Sequence, residues 1–416
     1  MSARRFALLS LTLLPLVGAC QASAGPDRGT RPDPLTALPR ALTAPEQRVV
    51  AGSNAFAFGL LREVARDDAA GNVFLSPLSA SLALGMTMNG ARGATLDGMR
   101  SALGFGGAAL TEVNPAYHDL MALLLGLDPG VDLRLANSIW VRQEFPILTS
   151  FSDDVSRYFD AEANVLDFND AGAAGRINEW VKRGTGGTIP TIVDPPIPAD
   201  VVLYLINATY FKGSWSDRFD PAETRAAPFH ADDGSVPTVQ MMHRAGSARY
   251  FEAADARGVE LPYGRGAFVM DVVLPATGKT VGDVVASLDT ARWAGWLGGL
   301  RTGEVDVSMP KYRLDNDRVL NSQLIRLGMQ VAFTPNGADF TGLSPEGRKL
   351  FISKVRQKTY ADVNEEGTEA AAVTSVGVSV TAMPVRPTFV FDRPFLVAIR
   401  ERFSGTILFL GAVRAP

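Results

Sequence analysis

With one cysteine and three histidines in 416 residues, the chain is poor in the side chains that most enzymes use. The lone Cys20 excludes an intramolecular disulfide. His118, His230 and His243 stand at no spacing that would ligate a metal. No block of basic residues occurs, and 40 Lys and Arg against 44 Asp and Glu leave a formal charge of -4, which argues against nucleic acid as a partner. G-x-S-x-G is absent, and with it the strained turn that presents a nucleophilic serine. "LPATGKT" ends like a phosphate-binding loop but has Val273 where the pattern needs glycine. "GFGGAA" and "GTGGTI" begin like dinucleotide fingerprints and lack the final glycine. Nothing here points to an enzyme, a cofactor or a metal.

What is present begins with a targeting segment. Arg4 and Arg5 precede an apolar run from Phe6 to Val17, too short for a good membrane span, then small residues before Cys20. "LVGAC" resembles a bacterial lipobox, which implies cleavage before Cys20 and lipidation there; the plainer alternative is a secretory signal discarded with its cysteine. Both imply export, to the cell envelope or beyond it, and Gln21 implies the outer membrane if the cell has two. Residues 20–46 carry Pro26, Pro32, Pro34, Pro39 and Pro45 and little periodic apolar content, so they read as a tether. The expected division is 1–19 signal peptide, 20–46 tether and 47–416 a single domain.

Within that domain, Phe56, Leu60 and Val64 share a helical face, with Ser53 available as its cap. Ser76 followed by Pro77 marks the start of a second helix. "VDLRLANSIWV" reads as a strand, "AGRINEWVKRGTGG" as a helix stopped by glycines, and "DVVLYLINATYFKGSW" as a strand buried on both faces. Strands follow around the Gly264–Gly266 turn and again at the C-terminus, where a turn near Ser404 and Gly405 joins the last two. Helices early and strands late imply an α+β fold.

The segment 364–384, "NEEGTEAAAVTSVGVSVTAMP", is too apolar for a linker and too small-sided to build a core. As an extended strand it would carry Thr368, Ala370, Ala372, Thr374, Val376, Val378 and Val380 on one face. Glu369, Ala371, Val373, Ser375, Gly377, Ser379 and Thr381 would share the other. The first face is uncharged and fit for burial; the second carries the only charge and could face water.

"NEEGTEAAAVT" resembles the hinge of the serpin family, and "LINATYFKGSW" and "FDRPFLVAI" resemble two of that family's strands. The likeness extends over roughly residues 50 to 416 and includes "NVFLSPLSASLAL" as a shutter-region helix. It implies an α+β fold with helices mainly in the N-terminal half, three β-sheets and an exposed reactive-centre loop at about 367–387. It assigns Glu365, Glu366, Gly367, Thr368, Glu369, Ala370, Ala371 and Ala372 to the hinge. Trp215 falls at the breach, where the loop enters the main sheet, and Ser76, Ser79 and Asn207 at the shutter. The family's shutter histidine is Gln357 here, which can still link Ser76, Ser79 and Asn207 but cannot titrate near neutrality.

The function implied is suicide inhibition of a serine protease: the loop is cut, inserts as a strand and carries the acyl-enzyme to the far pole. Cysteine proteases are a second target class, and the inhibitor is expected to be a monomer. About fourteen extended residues would move the protease on the order of 45 Å. Counting from Gly367 sets the bait bond at Thr381–Ala382, and counting back from Pro394 sets it at Met383–Pro384. Small residues there imply an elastase-like or subtilisin-like target. The alternative is a non-inhibitory member of the family that acts as a binding or chaperone-like protein.

Overall fold

A computed structural model describes residues 33–368 and 386–416, and Pro34–Pro416 form one compact unit. The first helix, α1 (Ala44–Asp67), begins inside the segment read as tether, and Leu35, Leu38 and Leu42 already pack against the core. Its cap is Thr43, not Ser53. The Thr43 hydroxyl accepts from Glu46 N–H, the Glu46 carboxylate accepts from Thr43 N–H at 2.7 Å, and Arg40 pairs with that carboxylate at 2.8 Å. Ser53 lies mid-helix, buried, with its hydroxyl 3.0 Å from that of Ser81. The apolar periodicity continues smoothly through Ser53, and Pro39 before the helix and Pro45 in its first turn masked its true start.

Every residue of α2 (Pro77–Met88) is buried, as expected of a helix that is apolar on all sides. Around it lie α3 (Gly93–Ala102), α4 (Leu110–Leu125) and α5 (Thr149–Phe159). Further along the chain come α6 (Ala173–Gly184), α7 (Val281–Ser287) and α8 (Thr290–Gly298).

One sheet runs β10 (Tyr312–Val319), β11 (Lys354–Asn364), β12 (Gly367–Thr368), β4 (Leu203–Ser214), β2 (Val131–Arg142) and β3 (Glu162–Leu166). The other runs β1 (Val73–Leu75), β15 (Ile407–Val413), β14 (Phe395–Glu401), β8 (Phe268–Pro275) and β7 (Ala256–Tyr263), then β6 (Thr238–Glu252), β9 (Arg301–Pro310) and β13 (Thr388–Val390). The short β5 (Arg225–Pro228) pairs with β6. Where the family resemblance implied three sheets, the 15-residue β6 pairs with β5, β7 and β9 and so joins two of them into one ladder among the described residues.

The main core lies between the sheets and around α1 and α2, and a smaller core packs α6 and residues 189–201 on the outer face of β2 and β4. Strand β4 is therefore covered on both sides, which is why it reads as a continuous apolar run.

A charged group is buried in the nine-stranded sheet. Arg400 holds Asp271 at 2.7 Å and Glu260 at 2.5 Å, with side-chain exposures of 2%, 5% and 1%. Removing one member of such a set leaves uncompensated buried charge, so Arg400→Ala should lower stability by roughly 3–5 kcal/mol. Arg134→Ala, which breaks the exposed Arg134–Asp132 pair, should cost no more than about 1 kcal/mol. Urea unfolding of both variants checks the contrast.

Candidate functional site

The centre of the six-stranded sheet is closed by direct parallel pairing of β11 and β4, Lys354–Thr359 against Tyr204–Thr209. Beneath it, Gln357 receives the Ser76 N–H on Oε1 at 3.0 Å, and its Nε2 donates to Ser76 O and to Asn207 Oδ1, both at 2.8 Å. Asn207 Nδ2 donates to Ser79 Oγ and, at 2.7 Å, to Asn137 Oδ1. Ser79 Oγ donates to Asn137 Oδ1 at 3.2 Å. All of these groups are buried, so each lost partner would leave an unsatisfied polar atom. Gln357 engages Ser76 through the backbone, while the Ser76 hydroxyl donates to Leu408 O at 2.9 Å.

Above Thr209 and Thr359 a wedge stands between the two strands. Gly367 and Thr368 pair antiparallel with Ser214 and Gly213 of β4 on one side. On the other they pair with Asn364 and Val363 of β11. The first two residues assigned to the exposed loop thus already lie in the sheet. At Gly367, φ is +154° and a Cβ would stand 2.1 Å from Gly213 O, so only glycine fits. Thr368 is 1% exposed and its hydroxyl meets the Tyr263 hydroxyl at 2.7 Å.

Trp215 closes the top of the gap. Its ring stacks on Tyr263 at 4.4 Å and 14°, its Nε1 donates to Asn364 O at 2.9 Å, and its backbone N–H donates to Glu366 O at 2.8 Å. Burial works against the charge of Glu365, but hydrogen bonds from Lys311 at 2.9 Å and from the Thr224 hydroxyl at 2.8 Å prevail and hold its carboxyl below the ordinary range.

The register carries one further fact. Thr359 faces Thr209 directly, while Val363 and Gly213 face each other across Thr368. The offset is the same in the closed and the wedged parts, 359 minus 209 and 363 minus 213, both 150. The strands can therefore admit a third by moving apart by about one strand spacing, ~4.8 Å, without sliding along each other.

Of the residues expected at the site, the structure brings together Ser76, Ser79, Asn207 and Gln357, and separately Trp215, Glu365, Glu366, Gly367 and Thr368. Glu369, Ala370, Ala371 and Ala372, both candidate bait bonds (Thr381–Ala382 and Met383–Pro384) and Cys20 lie outside the described residues. Asn137, Tyr263, Thr224 and Lys311 were missed. Asn137 left a trace, a lone amide on the otherwise apolar inward face of β2; the other three are brought in only by the tertiary fold. Among the described residues no cluster of His, Cys, Asp and Glu could hold a metal, and no helix is long and apolar enough to cross a membrane.

Comparison with known proteins agrees with this architecture. The family model described as Serpin (serine protease inhibitor) matches residues 51–416. An uncharacterized serpin-like protein of Thermococcus kodakarensis is 35% identical, covering 99% of each chain. The leukocyte elastase inhibitor of Sus scrofa is 36% identical over 89% of this chain and all of its own. Among solved structures, the thermophilic serpin tengpin in its native state has a TM-score of 0.84 and 31% identity, covering 92% of this chain and 98% of its own. Human thyroxine-binding globulin complexed with thyroxine has a TM-score of 0.83 and 27% identity, covering 90% and 100%.

The pH response of this sheet follows from its groups. The folded pKa of Glu365 is lowered, so its contribution is present above the unfolded carboxylate value of about 4.3 and lost only as pH falls through the lower folded value. The amide of Gln357 does not titrate. Sheet opening in the wild-type chain should therefore be flat between about pH 5.5 and 8. In Gln357→His, a protonated ring would point a donor at the Ser76 N–H, and opening should accelerate below about pH 6.5. Hydrogen exchange of the 354–359 amides across that pH range is the check; parallel pH profiles for the two proteins would refute this reading.

Proposed function

The chain belongs to the serpin family, described as serine protease inhibitors rather than enzymes and including relatives named as elastase inhibitors, and from that premise we propose that it is a suicide inhibitor of serine proteases. The single observation that carries this reading is the wedge, because Gly367 and Thr368 stand as the first two rungs of a strand in an otherwise closed sheet. Continuing their register downward would bring Ala370 between Phe211 and Ala361, and Ala372 between Thr209 and Thr359. Thr374 would follow between Asn207 and Gln357, and Val376 between Leu205 and Val355. Those partners are buried, and the residues directed at them are small or β-branched and uncharged. Besides the backbone ladder, a side-chain hydrogen bond from Gln357 to Asn207 has to be broken; Thr374 would arrive there, and its hydroxyl can donate to one amide and accept from the other.

The alternate residues differ from the simple water-facing set. Val373 and Ser375 would stand beside Ala208 and Ile206, which lie under α6 and residues 189–201. Small side chains suit that covered face too. Glu369 would pair beside Lys212, higher on the strand, where the face is more open.

The chemistry then runs as follows. The protease serine attacks the bait carbonyl, the peptide bond breaks and the new amino end leaves. The cut loop anneals as a strand, and the ester-linked protease travels to the opposite pole, where distortion of its active site stops deacylation. Thr381–Ala382 is favoured over Met383–Pro384, since a proline after the cut bond hinders cleavage. Small residues at the bond support an elastase-like or subtilisin-like target, a cysteine protease being the second class, and the similarity to leukocyte elastase inhibitors supports the same choice. Charged or bulky hinge residues would favour a non-inhibitory binding role; this hinge has neither on its inward face. The reading also includes export as a monomer held at the cell envelope through lipidated Cys20.

Incubation of the leaderless protein with elastase, subtilisin, chymotrypsin and trypsin should give an SDS-stable complex with one of the first two, and a released peptide that begins at Ala382. Cleavage by every enzyme without a complex would overturn the inhibitory reading. Adjacent alanines supply the control. Ala372→Asp buries a charge on the inward face at a cost of several kcal/mol and should convert the protein into a substrate. Ala371→Asp, next to it on the other face, should retain at least part of the complex on the same gel.

A further inference from the structure

We propose that a cleft between the C-terminal part of α1, helix α7 and the end of the chain binds a small organic monocarboxylate, a carboxylate head on a short apolar body. The cleft has a volume of about 540 Å³. Arg414 lines it with a side chain that is only 4% exposed. Its Nη1 donates to Gly71 O at 2.8 Å, and its backbone N–H donates to Asn72 Oδ1 at 2.7 Å, so the guanidinium is held in place from two sides.

The rest of that guanidinium is poorly matched. Its Nε is buried with no hydrogen-bond partner among the described residues, and the nearest carboxylate, Asp232 Oδ2, stands 3.8 Å away. A charge taken out of water without a hydrogen-bonded counter-charge is costly. Burial accordingly pushes the Arg414 pKa down, against the opposing pull of Asp232 and Asp68 and with Arg318 adding to the fall. Water in the cleft can satisfy the N–H, but only an anion compensates the charge. Arg62 lines the same cleft; it donates to Leu288 O and pairs with no carboxylate among the described residues.

The balance of charge on the walls sets the ligand class. Arg66 is a third cation on the cleft, at its exposed rim. Of the two acidic residues there, Glu63 is already held by Arg326, and Asp232, on the turn between β5 and β6, is 36% exposed and free to turn toward water. A carboxylate offers two oxygens side by side, the match for Nε–H and Nη2–H of one guanidinium. A dianion would meet repulsion from Glu63 and Asp232, so a single charge fits better. Ala65, Val285 and Ala286 supply an apolar wall for the body of the ligand. None of the lining residues belongs to β4, β11 or the wedge, so binding does not depend on insertion of the loop.

NMR titration of the leaderless protein at neutral pH with hexanoate, and with hexanamide as the uncharged compound of the same shape, tests the site. One hexanoate should bind per chain, about tenfold tighter than hexanamide, as expected when the hydrogen bonds are charge-assisted. The Arg414 Nε–H resonance should shift as hexanoate binds. Arg414→Gln should weaken binding by about tenfold or more. Ala286→Trp, which fills the cleft from an exposed position on α7, should abolish it and guards against misfolding of the first variant. Asp232→Asn, which removes the competing carboxylate, should tighten it severalfold. No saturable binding, equal affinity for the two compounds, or binding indifferent to Arg414→Gln and Ala286→Trp would overturn the assignment. Unchanged or weaker binding in Asp232→Asn would overturn it as well, because Asp232 would then not be competing for the Arg414 edge.

Discussion

The structure depends on the shared register of β4 and β11. The two strands pair in parallel over six residues, yet are aligned as each must be to flank an antiparallel third strand. Parallel pairing is slightly the weaker kind per residue, and here one parallel ladder occupies the place of two antiparallel ones. The closed sheet is therefore a complete but replaceable arrangement. Conversion needs lateral separation only, and the packing of the two cores need not be re-registered along the strands.

What resists that separation is polar and local. The Gln357 amide clasps Ser76 through both backbone groups and holds Asn207 with the same nitrogen, so the helix α2, β11 and β4 are tied at one point. At the top, the stacked Trp215 and Tyr263 and the Lys311–Glu365 pair keep the wedge seated without letting it advance. Each of these bonds is worth about 1 kcal/mol net, rising to about 1.5–3 kcal/mol where a charge is involved. On the proposed insertion, these named groups would add to the barrier and the new strand's ladder would supply the drive.

Much of this was legible in the chain. The covered strand β4 showed as an unbroken apolar run, α2 as a helix without a polar face, and the segment after Asn364 as a strand with one buriable side. The wedge glycine and the breach tryptophan stood within recognisable motifs. Other features depended on contacts far apart in sequence. The start of α1 was hidden by Pro39 and Pro45, although proline is well suited to a first helical turn. Thr224 and Lys311 come from separate elements to meet Glu365, and nothing local marks them. Gln357 could be expected to link to Ser76, but that it does so through the Ser76 backbone, while the hydroxyl goes to the Leu408 carbonyl, is set by the tertiary fold.

Hydrogen exchange before and after cleavage of the loop tests the central claim most directly. The account predicts that, once the loop is cut, amides of residues 203–214 and 354–364 become more protected, and that those of 369–378 become fully protected. Unchanged protection of the two strands, with the cut segment exchanging freely, would contradict it.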